Sequence, residues 1–422
     1  MQVPGDKSIT HRAILLGSLA SGDVKIIHPA PGDDCARSLA AVRAMGIAVE
    51  ILDDGWILRG QGLRSLHEPD DVLDLGNSGT SARLLMGLLA GQPFLTMLTG
   101  DCSLRSRPMS RVTVPLLSMG ARIWARNDGS HLPAAIIGGD ISGIKYRLPV
   151  PSAQVKSALL LAGLYADSPV EITEPLPSRD HTEKMLVAMG APLTKEKNVI
   201  RLEPCEELEH GRFTIPGDFS SAAFLMVLAA LLDGSRLILK DIGLNPTRTG
   251  LLSVLQRMGV RITVTPGKSD GWEERGDLEV TAGPLKGTIV ESGEVPLLID
   301  EVPILAVAAA FAEGETVIRG AGELRVKETD RLAAVTTELA RFGVEIKSFE
   351  DELLIMGRGS YSGCRCQTYG DHRMGMSLAV MGLLSEGETV IEGVSCIDTS
   401  FPGFARTLDT VLTGGSAVKE AS

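Results

Sequence analysis

An internal repetition constrains this chain more than any other feature. A short polar lead rich in Gly, Ser and Asp is followed by about ten small and apolar residues, a turn and a β-branched stretch. The pattern occurs six times, with leads at Gly5, Gly76, Ser152, Gly217, Asp300 and Gly370. The β-branched stretches are Val24–Ile27, Phe94–Met97, Val170–Ile172, Arg236–Leu239, Thr316–Ile318 and Thr389–Ile391. Five copies then carry Met-Gly or Phe-Gly, at Gly46, Gly120, Gly190, Gly259 and Gly343, before a new β-type run. Glycine after an apolar periodic segment reads as the left-handed residue that ends a helix. Each copy therefore predicts helix, strand, helix, strand. A unit of roughly 70 residues cannot bury its own apolar helix and must pack it against its neighbours.

Six such units make two domains of three. The boundary is marked by near-repetition of one phrase, Val3-Pro-Gly-Asp-Lys-Ser8 and Ile215-Pro-Gly-Asp-Phe-Ser220. The expected division is 5–216 for the first domain and 217–422 with 1–4 for the second, with hinge strands near 3–5 and 215–217 and a cleft between the domains. The expected class is α/β.

Composition narrows the function. The 41 Lys and Arg against 53 Asp and Glu leave a net charge of −12, which disfavours nucleic acid and anionic membranes as partners. The longest apolar runs, 222–232 and 302–312, are too short to cross a bilayer. The amino end has no basic segment followed by an apolar one, so a cytoplasmic protein is expected. Six scattered cysteines, with only Cys364 and Cys366 close together, fit reduced thiols and no zinc site; no metal is expected.

The chemistry concentrates in the leads. Lys7-Ser8 with Arg12, Asn77-Ser78-Gly79-Thr80 with Arg83, and Ser152-Ala153-Gln154 with Lys156 each set small polar residues and a cation at a helix start. There, free amides and the positive dipole end hold anions. Any one of these could be an ordinary N-cap. Three at the same position of one repeat would point to a common end of the domain. Further charge comes from the loop with Arg105 and Arg107, from Arg325-Val-Lys327-Glu328-Thr-Asp-Arg331, and from Tyr369-Gly-Asp371-His372-Arg373. The second of these is expected to start a helix with Lys327 and Arg331 on one face. So many cations in an acidic chain imply a small polyanion bearing phosphate and carboxylate groups.

With these segments in order, the chain resembles the 5-enolpyruvylshikimate-3-phosphate synthases of the enolpyruvyl transferase group. The resemblance runs from Pro4-Gly-Asp-Lys-Ser8 through Gly76-Asn-Ser-Gly-Thr-Ser-Ala-Arg83, Arg105-Ser-Arg-Pro108, Ser152-Ala-Gln154, Ile299-Asp-Glu-Val-Pro303, Arg325–Arg331 and Tyr369–Met374 to Ser400-Phe-Pro402. It is spelled like the second bacterial class. It implies a two-domain inside-out α/β barrel, three βαβαββ units per domain with helices buried inside sheets. It also implies transfer of the enolpyruvyl group of phosphoenolpyruvate to the 5-hydroxyl of shikimate 3-phosphate, with release of phosphate and without a cofactor, by a monomer. Carried over by position, Lys7, Ser8, Arg12, Ser152, Gln154, Ser178 and Lys327 meet shikimate 3-phosphate. Lys7, Gly79, Arg107, Gln154, Arg331 and Arg373 meet phosphoenolpyruvate, and Ala153 and His372 complete the binding set. Asp300 and Glu328, with Lys7, are the catalytic residues for proton transfer.

Three features depart from the family pattern. Only Met1-Gln2-Val3 precede the first lead, where the family has a strand of about ten residues, which leaves the edge of the sixth copy's sheet open. Thr399-Ser400 stands before Phe401-Pro402 where one class has a lysine. Gly79 favours inhibition by glyphosate, and the missing lysine weakens it. Cys102 is the third departure, because UDP-N-acetylglucosamine enolpyruvyl transferases carry a functional cysteine in the corresponding loop. Against that alternative stand Lys7-Ser8, Lys327-Glu328 and Asp371-His372-Arg373. A non-catalytic binder of a phosphorylated metabolite is the other alternative, and the complete set of carboxylates and arginines opposes it.

Overall fold

The computed structural model describes residues 1–412. Each of the six leads starts a helix, and five of the six are capped by the lead's own side chain. Asp6 accepts from the Ile9 amide at the start of α1 (Lys7–Ser18), and Ser78 accepts from Ser81 at the start of α3 (Gly79–Ala90), which follows α2 (Asp33–Ala44). After α4 (Ser110–Ser118), Ser152 caps α5 (Ala153–Gly163). Then come α6 (His181–Ala188) and α7 (Phe219–Leu231), where Asp218 accepts from Ser220 and Ser221. After α8 (Gly250–Arg257), α9 (Val302–Ala310) begins without a side-chain cap and uses Pro303 in its first turn. Past α10 (Arg331–Arg341), Asp371 caps α11 (His372–Leu383) by accepting from Arg373 and Met374, and α12 (Phe404–Val411) follows. Such a cap is worth about 1 kcal/mol and fixes where the helix begins. The closing glycines sit in the left-handed region, with φ of 94° at Gly46, 108° at Gly120, 79° at Gly190, 106° at Gly259 and 94° at Gly343.

Among the described residues six small sheets accompany these helices. In the second, Leu73–Asp74 runs parallel to Leu95–Thr99, which pairs antiparallel with His131–Ile137 and through it with Arg122–Ala125. With the helices between, that is one βαβαββ unit. The third and fifth sheets repeat the four-strand order. In the first, the parallel strand is contributed late, by Gly211–Thr214 beside Asp23–Ile27. The fourth has three strands, with Met1 alongside: its ammonium donates to the Ile238 carbonyl at 2.7 Å and its carbonyl accepts from the Lys240 amide at 2.8 Å. The sixth, Arg365–Gln367 with Val390–Glu392, has two strands among the described residues.

The first helix of each copy is buried almost all round. Twelve of the thirteen residues of α7 are buried, as is every residue of α9. A helix with no polar face belongs in an interior, so the helices form the core and the sheets cover them. By its contacts the chain forms two compact units. One is Gly5–Pro216 with Ser269–Glu273, and the other is Met1–Pro4 with Gly217–Lys268 and Glu274 onward. The segment Ser269–Glu273, at the tip of the hairpin Arg261–Pro266/Arg275–Thr281, packs in the first unit. Trp272 stands edge-on to Phe213 at 5.2 Å, and buried Glu273 meets His181 Nδ1 at 2.9 Å. At the chain crossings, the Asp6 amide donates to the Pro216 carbonyl in one unit and the Asp218 amide to the Pro4 carbonyl in the other, both at 2.8 Å.

One local expectation fails. Lys327 and Arg331 do not share a helix face. Asp330 caps α10 by accepting from Ala333, so the helix begins only at Arg331, and Lys327 lies in extended backbone after a short 3-10 turn, Gly322–Val326. Among the described residues no helix is long and apolar enough to cross a membrane.

Candidate active site

In the first unit the starts of α1, α3 and α5 are cross-linked by buried polar groups. His11 Nδ1 and Ser38 Oγ lie 2.8 Å apart, and Ser38 and Ser78 each reach Ser81 Oγ at 2.7 Å. This hydroxyl chain joins α1 to the cap of α3. Burial holds the His11 pKa well below its usual value, with nearby Lys7 and Arg12 acting the same way. Gln154 at the start of α5 donates from Nε2 to Thr80 Oγ1 at 3.0 Å and accepts from Arg83 at 2.8 Å.

The expected contacts of this unit fall into two groups. Lys7, partly exposed, pairs with Asp34 in the first turn of α2 at 3.0 Å. Ser8, Ser152, Ala153 and Gln154 are also partly exposed. Gly79 is buried, and a Cβ there would stand 3.0 Å from Arg83 Nη1 and 3.2 Å from Arg107 Nη1. Two guanidinium ends therefore face the space over Gly79, and Arg107 is steadied by the Asn77 carbonyl at 3.1 Å and Ser103 Oγ at 3.0 Å. Arg12 and Ser178, by contrast, are committed inward. Arg12 donates to Thr182 Oγ1 at 2.7 Å, to the Ser8 carbonyl at 2.8 Å and to Ser157 Oγ at 2.8 Å, joining α1, α5 and α6. Burial draws its pKa down to about 10, against the opposing pull of Glu183. Ser178 donates to Glu174, and its carbonyl accepts from Lys156 Nζ at 3.3 Å. Lys156 is wholly buried and pairs with Glu174 at 3.0 Å and Glu183 at 2.6 Å. Burial pulls its pKa down, but Glu183 and Glu174 outweigh that and leave it raised.

In the second unit, Asp300, Lys327, Glu328, Arg331, His372 and Arg373 come together from two copies of the repeat, the fifth and the sixth. Arg331, on α10, is buried and spends all three nitrogens on carboxylates: Nε on Asp371 at 2.7 Å, Nη1 on Asp300 at 3.1 Å and Nη2 on Glu328 at 2.5 Å. Burial works against its charge, but Asp371, Glu328 and Asp300 prevail and raise its pKa. Lys327 Nζ reaches Asp300 at 3.4 Å. Arg373, second in α11, is different. Every hydrogen bond its guanidinium makes among the described residues comes from Nη1, to Ser220 Oγ at 2.7 Å, the Asp300 carbonyl at 3.2 Å and Glu301 Oε1 at 3.4 Å. Nη2 stands 3.9 Å from Asp300 Oδ2. One edge of the fork is tied down, while Nε and Nη2 are left to meet an anion. His372, also buried, opens α11.

Several members of these clusters escape sequence reasoning. Asp34, Glu301, Arg248 and Ser220 are ordinary polar residues until the fold is known, and Asp371, which the sequence marks beside His372 and Arg373, shows its tie to Arg331 only there. For Asp371 there was a signal, since a lead position that caps a helix also points at its neighbour's first turn. Cys102 is exposed, with Arg105 Nη2 at 3.4 Å from its sulfur.

Comparison with known proteins assigns the class first. The enolpyruvyl transferase NikO of Streptomyces tendae superimposes with a TM-score of 0.78 over 97% of this chain and 94% of its own at 16% identity, which shows the shared fold alone. An EPSP synthase of Acinetobacter baumannii superimposes with a TM-score of 0.86 at 41% identity, covering 97% of this chain and 95% of that one. The fold is thus the two-domain α/β architecture of the enolpyruvyl transferases.

Sequence relationships make the assignment particular. The family model of EPSP synthase (3-phosphoshikimate 1-carboxyvinyltransferase) matches residues 1–408. The 3-phosphoshikimate 1-carboxyvinyltransferase of Desulforudis audaxviator is 52% identical over 410 residues, 97% of this chain and 96% of the relative. That of Desulforamulus reducens is 48% identical over 413 residues, 98% of this chain and 96% of the relative. The chain belongs to the EPSP synthase family. Its activity is that of the family, enolpyruvyl transfer to shikimate 3-phosphate in aromatic amino-acid biosynthesis.

Proposed function

We propose the following division of labour for that reaction. The starts of α1 and α5 hold shikimate 3-phosphate through Lys7, Ser8, Ser152, Ala153 and Gln154, with Lys327; Arg12 and Ser178, committed inward, act by holding the first turns of α1 and α5 in place. Phosphoenolpyruvate meets Lys7, Gly79, Arg107, Gln154, His372 and Arg373, while Arg331, committed to three carboxylates, acts by holding Asp300 and Glu328 in place. Asp300 and Glu328 manage the protons. One removes the proton of the 5-hydroxyl as that oxygen bonds to C2 of phosphoenolpyruvate, and a proton is delivered to the methylene carbon. The tetrahedral product then gives up a methyl proton and expels phosphate, restoring the double bond. Arginines gripping carboxylate and phosphate align the reacting atoms and stabilise the charge that moves onto the leaving group. The enzyme acts as a monomer in the cytoplasm.

The observation that carries this reading is the sharing of Arg331 by Asp300 and Glu328, at 3.1 and 2.5 Å. Two carboxylates fixed on one buried cation keep their places while protons come and go. The test is phosphate release from phosphoenolpyruvate with shikimate 3-phosphate, and separately with UDP-N-acetylglucosamine. Release with the first acceptor alone is expected. Release with the second would transfer the chain to the sister activity.

A further inference from the structure

Arg373 does not hold its position unaided. Behind its Nη1 lies a closed network of buried groups, none of which belongs to the substrate-binding set. Ser220 Oγ, in the first turn of α7, accepts from Arg373 at 2.7 Å and from Arg248, and donates to Glu301 Oε1 at 2.5 Å. Arg248 Nη1 lies 2.8 Å from both oxygens of Glu301, and its Nη2 is 3.6 Å from Asp218, the cap of α7. Ser220, Arg248 and Glu301 are each 3% exposed or less. The aromatic face of Phe219 packs on the Arg248 guanidinium at 5.7 Å. Glu301 is also the residue after Asp300, so the network fixes the backbone on which Asp300 stands.

We infer that Ser220, backed by Arg248 and Glu301, is a positioning residue that aims the open edge of Arg373 at phosphoenolpyruvate. The inference rests on the proposed role of Arg373. The physical case is geometric. A planar fork recognises a carboxylate or phosphate through two parallel bonds, so a small rotation of its plane costs both. With Nη1 bonded to Ser220 and to the Asp300 carbonyl, the plane is set before any anion arrives. The carboxylate of Glu301 is answered first by Arg248, through both of its oxygens, so it steadies Arg373 without consuming its charge. Arg331, enclosed by three carboxylates, has no such free edge.

The test is steady-state kinetics of Ser220→Ala, Ser220→Thr, Arg373→Ala and the double variant, each with its thermal midpoint. Ser220→Ala removes one hydroxyl and leaves the Arg248–Glu301 pair intact. It is expected to raise the KM for phosphoenolpyruvate about three- to tenfold, with the KM for shikimate 3-phosphate unchanged. Ser220→Thr, which keeps the hydroxyl, should restore the parent value. In the Arg373→Ala background, Ser220→Ala should add nothing, because the group it aims is gone. If Arg373→Ala raises the phosphoenolpyruvate KM and Ser220→Ala does not, the positioning role is wrong and the role of Arg373 survives. If Arg373→Ala itself leaves that KM unchanged, the underlying reading falls and this inference with it. Equal increases in both KM values with a lowered midpoint would show Ser220 to be structural only.

Discussion

Arg331 and Asp371 are bound to each other through Nε and Oδ2 at 2.7 Å, with the two side chains 1% and 0% exposed. The same carboxylate caps α11 through the amides of Arg373 and Met374. One side chain thus sets both the start of the helix that carries Arg373 and the place of the cation shared by Asp300 and Glu328. Asparagine serves equally as a cap but carries no charge. Asp371→Asn is therefore expected to expose the ion-pair contribution alone, lowering stability by about 3 kcal/mol in urea unfolding at neutral pH. An unchanged midpoint would show that Asp300 and Glu328 suffice for Arg331.

Replacing Asp300 or Glu328 should invert that balance. Asp300 and Glu328 are 13% and 22% exposed where Asp371 is fully buried, so losing either carboxylate should cost less stability than Asp371→Asn. Turnover should fall by about 10²–10⁴-fold, the usual contribution of a positioned acid or base. Phosphate release near the parent rate in either variant would remove that residue from the proton-transfer role.

Gly79 gives a steric test. A methyl group there would stand 3.0 and 3.2 Å from the ends of Arg83 and Arg107, which are flexible enough to yield by a few tenths of an ångström. A small anion tolerates that displacement better than a longer one. Glyphosate is expected to compete with phosphoenolpyruvate, and Gly79→Ala should raise its inhibition constant more than the KM for phosphoenolpyruvate. Equal changes in both would mean that the crowding does not discriminate between them.

His11 makes a prediction about pH. Burial depresses its folded pKa below the unfolded value of about 6.5, so the unfolded chain binds the proton that the native protein refuses. The stability that neutral His11 contributes is present above pH ~6.5 and is lost as pH falls below it, at about 1.4 kcal/mol per pH unit until the folded pKa is reached. His11→Asn, which keeps a polar partner for Ser38, should flatten this part of the stability profile between pH 6.5 and 5. A parallel slope in parent and variant would assign the acid sensitivity elsewhere.

Cys102 lies exposed on the short helical segment Cys102–Ser106, with Arg105 its polar neighbour. Cys102→Ser should leave turnover within about twofold of the parent, since Asp300 and Glu328 already supply the proton transfers. A loss of orders of magnitude would reinstate the sister-enzyme chemistry.

The sequence carried the repeat, the helix starts and the closing glycines in plain view because each depends on local chemistry. A cap acts within three residues and a left-handed glycine on its own turn, so Asp6, Ser78, Ser152, Asp218 and Gly46 could be read in place. The substrate-binding set was legible through resemblance more than through physics, since Lys7 or Gly79 alone looks like any helix start. Contacts between copies were not legible. Arg12 with Thr182, Gln154 with Thr80 and Arg248 with Glu301 join residues far apart in the chain. The one local misreading, Lys327 and Arg331 on a common helix face, came from counting i,i+4 across Asp330, whose cap starts the helix three residues after Glu328 begins to look helical.

The placement of the central helices bears on how such a chain can vary. A helix lying on a surface has an outer stripe where substitutions go unnoticed; α7 and α9 have almost none, whereas only three of the eight residues of α8 are buried. Neutral drift is thereby channelled into α8 and its counterparts and onto the outer sheet faces, while the inner helices change only by concerted exchanges of volume. A library seeking altered inhibitor response from this scaffold would find its viable members among the helix leads and the outer helices, and would lose most of what it spent on the twelve buried positions of α7.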